Sequence, residues 1–133
     1  MSRKPDPDVT DALERVTSFD PETVQRLASV GRPINIPQGW AVMVENTPAD
    51  KAYIILEGAI DIRRNGSSVA TLAAGEVIGE MAIVNGRLRN ATVVAVTPVK
   101  ALHLTDGDVE TLLLEDPDFA RKLSAVSTAR LDH

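Results

Sequence analysis

Gly79, Glu80 and, nine residues after Glu80, Arg89 are the residues whose types and spacing point to chemistry. They lie in the run GEVIGEMAIVNGRLRNATVVAV, residues 75–96. Here a short apolar stretch meets a glycine, and Glu80-Met81-Ala82 then reads as the start of one tight helical turn. The first turn of a helix exposes unpaired N–H groups and a partial positive charge, an arrangement that suits an anion. An Arg returning to the same place adds a planar fork of donors that fits a phosphate bidentately. Glu80 is then no phosphate ligand, because two anions repel. A carboxylate beside a phosphate is better explained by a ribose hydroxyl, from which it can accept. The implied ligand is a sugar phosphate with one negative charge.

Each residue also has a plainer reading. Arg89 could pair with any of the 19 acidic side chains. Glu80 could be a first-turn charge favoured by the helix dipole, and Gly79 a turn glycine. Only their combination in one motif favours the anion site.

The elements that must position them follow from periodicity and punctuation. Val9, Leu13 and Val16 make a short amphipathic helix, for the domain or for a partner. Asp20-Pro21 opens a second helix, with Val24, Leu27 and Ala28 inward and Gly31 as its stop. From Arg32 the period becomes two. Strands are expected around Ile34 and Ile36, then over Trp40–Glu45, Ala52–Leu56, Ala59–Arg64, Val69–Leu72, Ala91–Val96 and Val99–Leu104, with Asn65-Gly66 a hairpin turn. Short strands at even spacing indicate a mainly β fold, a closed or nearly closed antiparallel β-roll with flanking helices. Thr105 and Asp108 form a capping-box pattern, with Val109, Leu112 and Leu113 on one face. Asp116-Pro117 ends that helix and begins another, striped by Phe119, Leu123 and Val126. The expected organisation is a disordered tail over 1–8, helices over 9–31, the roll over 32–104 with the anion segment at 78–92, and C-terminal helices over 105–133.

Composition narrows the function. With 44% apolar and only 3% aromatic residues, the core must be aliphatic, in one domain that buries roughly two-thirds of its unfolded surface. A net charge of −5 without a basic stripe argues against direct contact with nucleic acid. There is no cysteine, hence no disulfide or thiolate metal site. No run approaches the ~18 apolar residues of a membrane span. No secretory signal precedes Pro5-Asp6-Pro7-Asp8, and a cytoplasmic location is expected. An enzyme is disfavoured. A β-barrel metal oxygenase needs clustered His and carboxylate ligands on facing strands, whereas one of the two His ends the chain, and no ATP loop or nucleophile elbow is present.

The run Ile78-Gly79-Glu80-Met81-Ala82 followed by Arg89-Asn90-Ala91-Thr92 resembles the phosphate-binding cassette of cyclic nucleotide-binding domains. A second similar segment, Asp50-Lys51-Ala52-Tyr53-Ile54-Ile55-Leu56-Glu57-Gly58, lies upstream. The resemblance spans roughly residues 19–126. It implies a jelly-roll-like β-roll and a regulatory module for cAMP or cGMP, with no resident cofactor besides that ligand. The cassette residues Ile78, Gly79, Glu80, Met81, Ala82, Arg89, Asn90 and Ala91 would bind it. The last helix would serve as a lid over the base and as a dimer interface, and Ser124, Ser127 or Thr128 could offer the base a hydroxyl. A homodimer or a partner effector protein is thereby implied.

Two positions depart from the usual pattern. Ile78 stands where Phe is frequent, and still supplies an apolar wall. Asn90 stands where Ala, Ser or Thr is usual, so it could hold phosphate, contact the base or crowd the pocket. Crowding would leave a β-roll without ligand, serving interaction or oligomerisation. Thr92 alternates to the other strand face, His103 is expected to be a neutral surface histidine, and Arg63, Arg64 and Arg87 are expected to be solvated. The chain stops soon after the last helix, as a stand-alone module or a regulatory piece of something longer.

Overall fold

The strand stretch Ala52–Leu56 sets the architecture, because all five of its residues are at most 5% exposed. A strand alternates its side chains between two faces, so burial throughout requires a layer on each side. The computed structural model, which describes residues 4–80, 83, 86 and 88–123, supplies both. Helices α1 (Pro7–Val16) and α2 (Pro21–Val30) precede eight strands. These are β1 (Arg32–Ile36), β2 (Ala41–Met43), β3 (Lys51–Glu57), β4 (Ala59–Arg64), β5 (Ser67–Ala73), β6 (Val77–Ile78), β7 (Thr92–Ala95) and β8 (Val99–Thr105), and helix α3 (Asp106–Glu115) follows. Residues 117–123 are helical again.

The strands form two antiparallel four-stranded sheets, ordered β1-β8-β3-β6 and β2-β7-β4-β5. Between the sheets lies an aliphatic core of Tyr53, Ile55, Ile60, Ile78, Val93 and Ala101 with their neighbours. Ala52, Ile54, Leu56, Leu102 and Leu104 point the other way, into a second core with Val9, Leu13, Val24, Leu27, Val109 and Phe119. The first sheet is thus sandwiched between the second sheet and the helices. The jelly-roll-like β-roll with flanking helices stands as the sequence indicates.

Local rules account for the boundaries. α1 begins at Pro7, two residues before the first apolar position, so the expected tail over 1–8 loses its last two residues to helix. Asp6 is the reason: its Oδ1 accepts the Asp8 amide at 2.8 Å, and proline fits the first helical position. The helix lies on the domain, with Val9 and Leu13 buried. Asn65 and Gly66 have φ of 53° and 81°, the left-handed pair of a two-residue hairpin between the partners Arg64 and Ser67. β2 is shorter than the expected Trp40–Glu45, since its pairing with β7 shifts register between Ala41 and Met43. Trp40 stays 65% exposed. α3 carries the full capping box, Thr105 Oγ1 accepting the Asp108 amide while Asp108 accepts that of Thr105, both at 3.0 Å.

The C-terminal segment is tied to α2 by polar groups that the sequence pattern does not reveal. Asp116 is buried and accepts from Thr23 Oγ1 at 2.9 Å and from the Phe119 amide at 3.0 Å, capping the helical residues that follow. Asp118 accepts the Asp20 amide at 2.8 Å and meets Lys122 Nζ at 2.8 Å, while Lys122 also donates to the Ser18 carbonyl. Asp20 occupies the N-cap position of α2, but its side chain makes no cap bond. It faces Lys122 Nζ at 3.5 Å. Phe19 stacks on Phe119 with ring centroids 5.6 Å apart.

Candidate functional site: the Gly79–Arg89 cassette

β6 is only two residues long, yet it fixes where the cassette starts. Ile78 pairs with Tyr53 of β3 and is buried in the inter-sheet core. The chain then turns at Gly79, whose φ of +88° suits glycine and strains any other residue. A Cβ there would also collide with the Met43 thioether methyl and stand 2.8 Å from Arg89 Nη1. Glu80 opens the helical turn and is buried.

Arg89 turns inward. It is 4% exposed, with Nη1 donating to the Gly79 carbonyl at 2.5 Å and Nη2 to the Lys51 carbonyl. Its backbone is clamped to the turn before β3, its amide donating to Thr47 O and its carbonyl accepting from the Asn46 amide, both at 2.8 Å. Burial lowers the guanidinium pKa from its ordinary value, while Asp50, Tyr53 and Glu80 oppose that shift by favouring the cation. A guanidinium stays charged in proteins regardless. The result is a buried cation bridging the cassette and the start of β3. Its remaining N–H groups can serve an anion.

Of the other expected residues, Asn90 is exposed and does not fill the interior, and Ala91 is buried. Thr92 Oγ1 accepts the Glu45 amide at 3.1 Å, a strand-anchoring role. Met81, Ala82, Arg87, Ser124, Val126, Ser127, Thr128 and His133 lie outside the described residues. His103 departs from its expectation in part. It shares the inner face of the first sheet with Tyr53, meeting that ring edge-on at 5.5 Å. Burial lowers its pKa, with Lys51 and Arg32 adding to the shift, so the ring is neutral at pH 7. Arg63 is not simply solvated, since Nε donates to Asp61 at 2.8 Å. Arg64 is exposed.

Sequence reasoning missed that the Lys51 carbonyl and the Asp50 charge converge on Arg89. Strand periodicity assigns faces but cannot reveal which carbonyl a distant side chain will find. Among the described residues, no cluster of His, Asp or Glu could hold a metal ion. An open cleft of about 220 Å³ lies between the start of α1 and β1, lined in part by Asp6, Asp8, Ile34 and Lys100, and no cassette residue borders it.

Comparison with known proteins places the fold. Residues 33–116 match the family model described as the cyclic nucleotide-binding domain, and the chain belongs to that family. It is 25% identical over 118 residues to the Pycsar effector protein XpPycTIR of Xanthomonas perforans, a match covering 88% of this chain and 39% of that protein. It is 23% identical over 117 residues to the CRP-like cAMP-activated global transcriptional regulator of Mycobacterium tuberculosis, covering 84% of this chain and 52% of the regulator. The chain thus spans about two-fifths to one half of these curated relatives. Among solved structures, a cyclic nucleotide-binding domain from Methylobacillus flagellatus superposes with a TM-score of 0.77 at 26% identity, covering 94% of this chain and 77% of that one. No described helix is long and apolar enough to cross a membrane.

Proposed function

We propose that this domain is a regulatory sensor of cAMP or cGMP, and that the Arg89 guanidinium holds the cyclic phosphate. The observation that carries the reading is the buried cation fixed against the Gly79 carbonyl with Glu80 beside it. In this reading the cassette amides from Gly79 to Ala82 complete the anion site, and Glu80 accepts from the ribose hydroxyl. Ile78 and Ala91 supply apolar contact, and Asn90 reaches the ligand from the rim. The helices after β8 act as the lid, and the last of them as the contact to a second copy or to an effector. The module performs no catalysis of its own. The competing reading, a roll that has lost its ligand, rests on Asn90 crowding the pocket, and the exposure of Asn90 supports the sensor reading over it.

Calorimetric titration with cAMP and cGMP tests the proposal. Arg89→Ala is expected to weaken binding at least tenfold, because a charge-assisted contact contributes about 1.5–3 kcal/mol. Arg89→Lys is expected to lose much of the affinity too, since a point charge cannot reproduce the fork. Wild-type protein whose melting temperature is unmoved by millimolar cAMP and cGMP would sink the proposal, as a ligand bound only by the native state must raise it.

A further inference from the structure

Tyr53 has a buried phenol whose hydroxyl makes no hydrogen bond with any described residue. The residue is 5% exposed and faces the inter-sheet core from β3. A buried tyrosine hydroxyl ordinarily finds a partner, so one left over in the interior calls for an explanation. The ring is held rigidly. His103, its register partner on β8, packs edge-on against it at an interplanar angle of 67°, and Ile78 lies opposite on β6.

Two connections aim this phenol at the anion site. Arg89 bonds the carbonyl of Lys51, two residues along the same strand, and the carbonyl of Gly79, the residue after Tyr53's partner Ile78. Arg89 also lies close enough for its charge to act on the phenol. The hydroxyl and the guanidinium therefore share one corner of the roll interior. Burial and the nearby Asp50 raise the phenol pKa, which keeps it a neutral O–H donor at pH 7. A neutral donor beside a cation is well suited to an oxyanion, since it adds a hydrogen bond without another charge to desolvate.

We propose that Tyr53 Oη donates a hydrogen bond to an exocyclic oxygen of the cyclic phosphate, so that a β3 side chain outside the cassette belongs to the binding site. This rests on the reading of the domain as a cyclic nucleotide sensor and adds a second side-chain donor to its phosphate.

The test is calorimetry on wild type and Tyr53→Phe with cAMP, cGMP and the two phosphorothioate diastereomers of whichever binds more tightly. Each diastereomer replaces one exocyclic oxygen by sulfur, a poorer acceptor. Tyr53→Phe is expected to weaken the parent nucleotide about tenfold. It should also shrink the affinity gap between the diastereomers, because the sulfur penalty at the contacted position disappears with the donor. The ligand-free unfolding midpoint should not fall, since Phe fills the same space without an unpaired hydroxyl. Tyr53→Phe that binds within about twofold of wild type and keeps the same diastereomer gap overturns this inference and leaves the sensor reading standing. Wild type that takes up none of the nucleotides overturns both.

Discussion

Gly79→Ala separates two costs that coincide at one glycine. The first is backbone strain: Gly79 has φ of +88°, a region that disfavours a residue with Cβ by about 1–2 kcal/mol. The second is collision, because the new methyl would press on Met43 and sit 2.8 Å from Arg89 Nη1. Met43 is flexible and can yield. Arg89 yields only by giving up its bond to the Gly79 carbonyl, at about 1.5–3 kcal/mol for a charge-assisted bond in a buried site. Gly66 supplies the control, having a φ of +81° and open space around its missing Cβ. Urea unfolding should therefore show Gly66→Ala costing about 1–2 kcal/mol and Gly79→Ala about 2.5–5 kcal/mol. Titration should find nucleotide affinity unchanged in the first and at least tenfold lower in the second. If the two variants are equally stable, and Gly79→Ala binds like wild type, then Arg89 is not held by the cassette as described.

Two further tests concern the polar tie to α2. Thr23→Val keeps the shape but takes a donor from the buried Asp116 carboxylate, which accepts from Thr23 at 2.9 Å. Urea unfolding should register about 1.5–3 kcal/mol, and a change below about 0.5 kcal/mol would assign that bond no role. For Asp118, burial opposes the charge, but Lys122 and the Asp20 amide outweigh it and hold the pKa at about 2 instead of 3.8. A depressed carboxyl pKa contributes stability that is complete above the ordinary value and lost as pH falls through the folded one. The melting-temperature gap between wild type and Asp118→Asn should accordingly be present above about pH 4 and close as pH approaches 2. A gap that persists unchanged at pH 2 would show that the carboxylate's charge is not what matters.

What the sequence made legible was whatever short-range physics controls. The two-residue hairpin followed from Asn65-Gly66, the capping box from Thr105 and Asp108, and the apolar stripes of α1 and α2 from their spacing. The run Ala52–Leu56 was legible as a strand, though not its burial on both faces or which residue faced which layer. Cassette residues were legible because the motif keeps Gly79, Glu80 and Arg89 at a fixed separation. What stayed hidden depends on contacts across long separations. Asp116 read as a helix break, and only folding brings Thr23, 93 residues away in sequence, against its carboxylate. Asp61 gave no signal, yet it is buried among Ser68, Thr71 and Arg63 on the outer layer of the second sheet. Tyr53 fell within an expected strand, and strand periodicity does not say whether a polar end is satisfied.

If the domain is the nucleotide sensor proposed above, the position of β3 constrains how ligand and helices would communicate. One face of the strand, through Ala52, Ile54 and Leu56, packs beneath α1 and α2, while its Lys51 carbonyl receives Arg89. The cation and the helical layer thus meet on a single seven-residue strand. Residues 116–123 are bound to that layer by Asp116 to Thr23, Asp118 to the Asp20 amide and Lys122 to the Ser18 carbonyl. A lid movement that preserved these bonds would carry α2 with it. One that left α2 in place would have to break all three, including bonds to two buried carboxylates. Breaking them is the costlier route, since each buried charge would lose a partner. A ligand can shift the lid only by its difference in affinity for the two states. If the C-terminal helices are the lid proposed above, the cheaper motion is a joint one, in which α2 and the C-terminal segment shift together over the first sheet, and Thr23→Val should weaken that coupling.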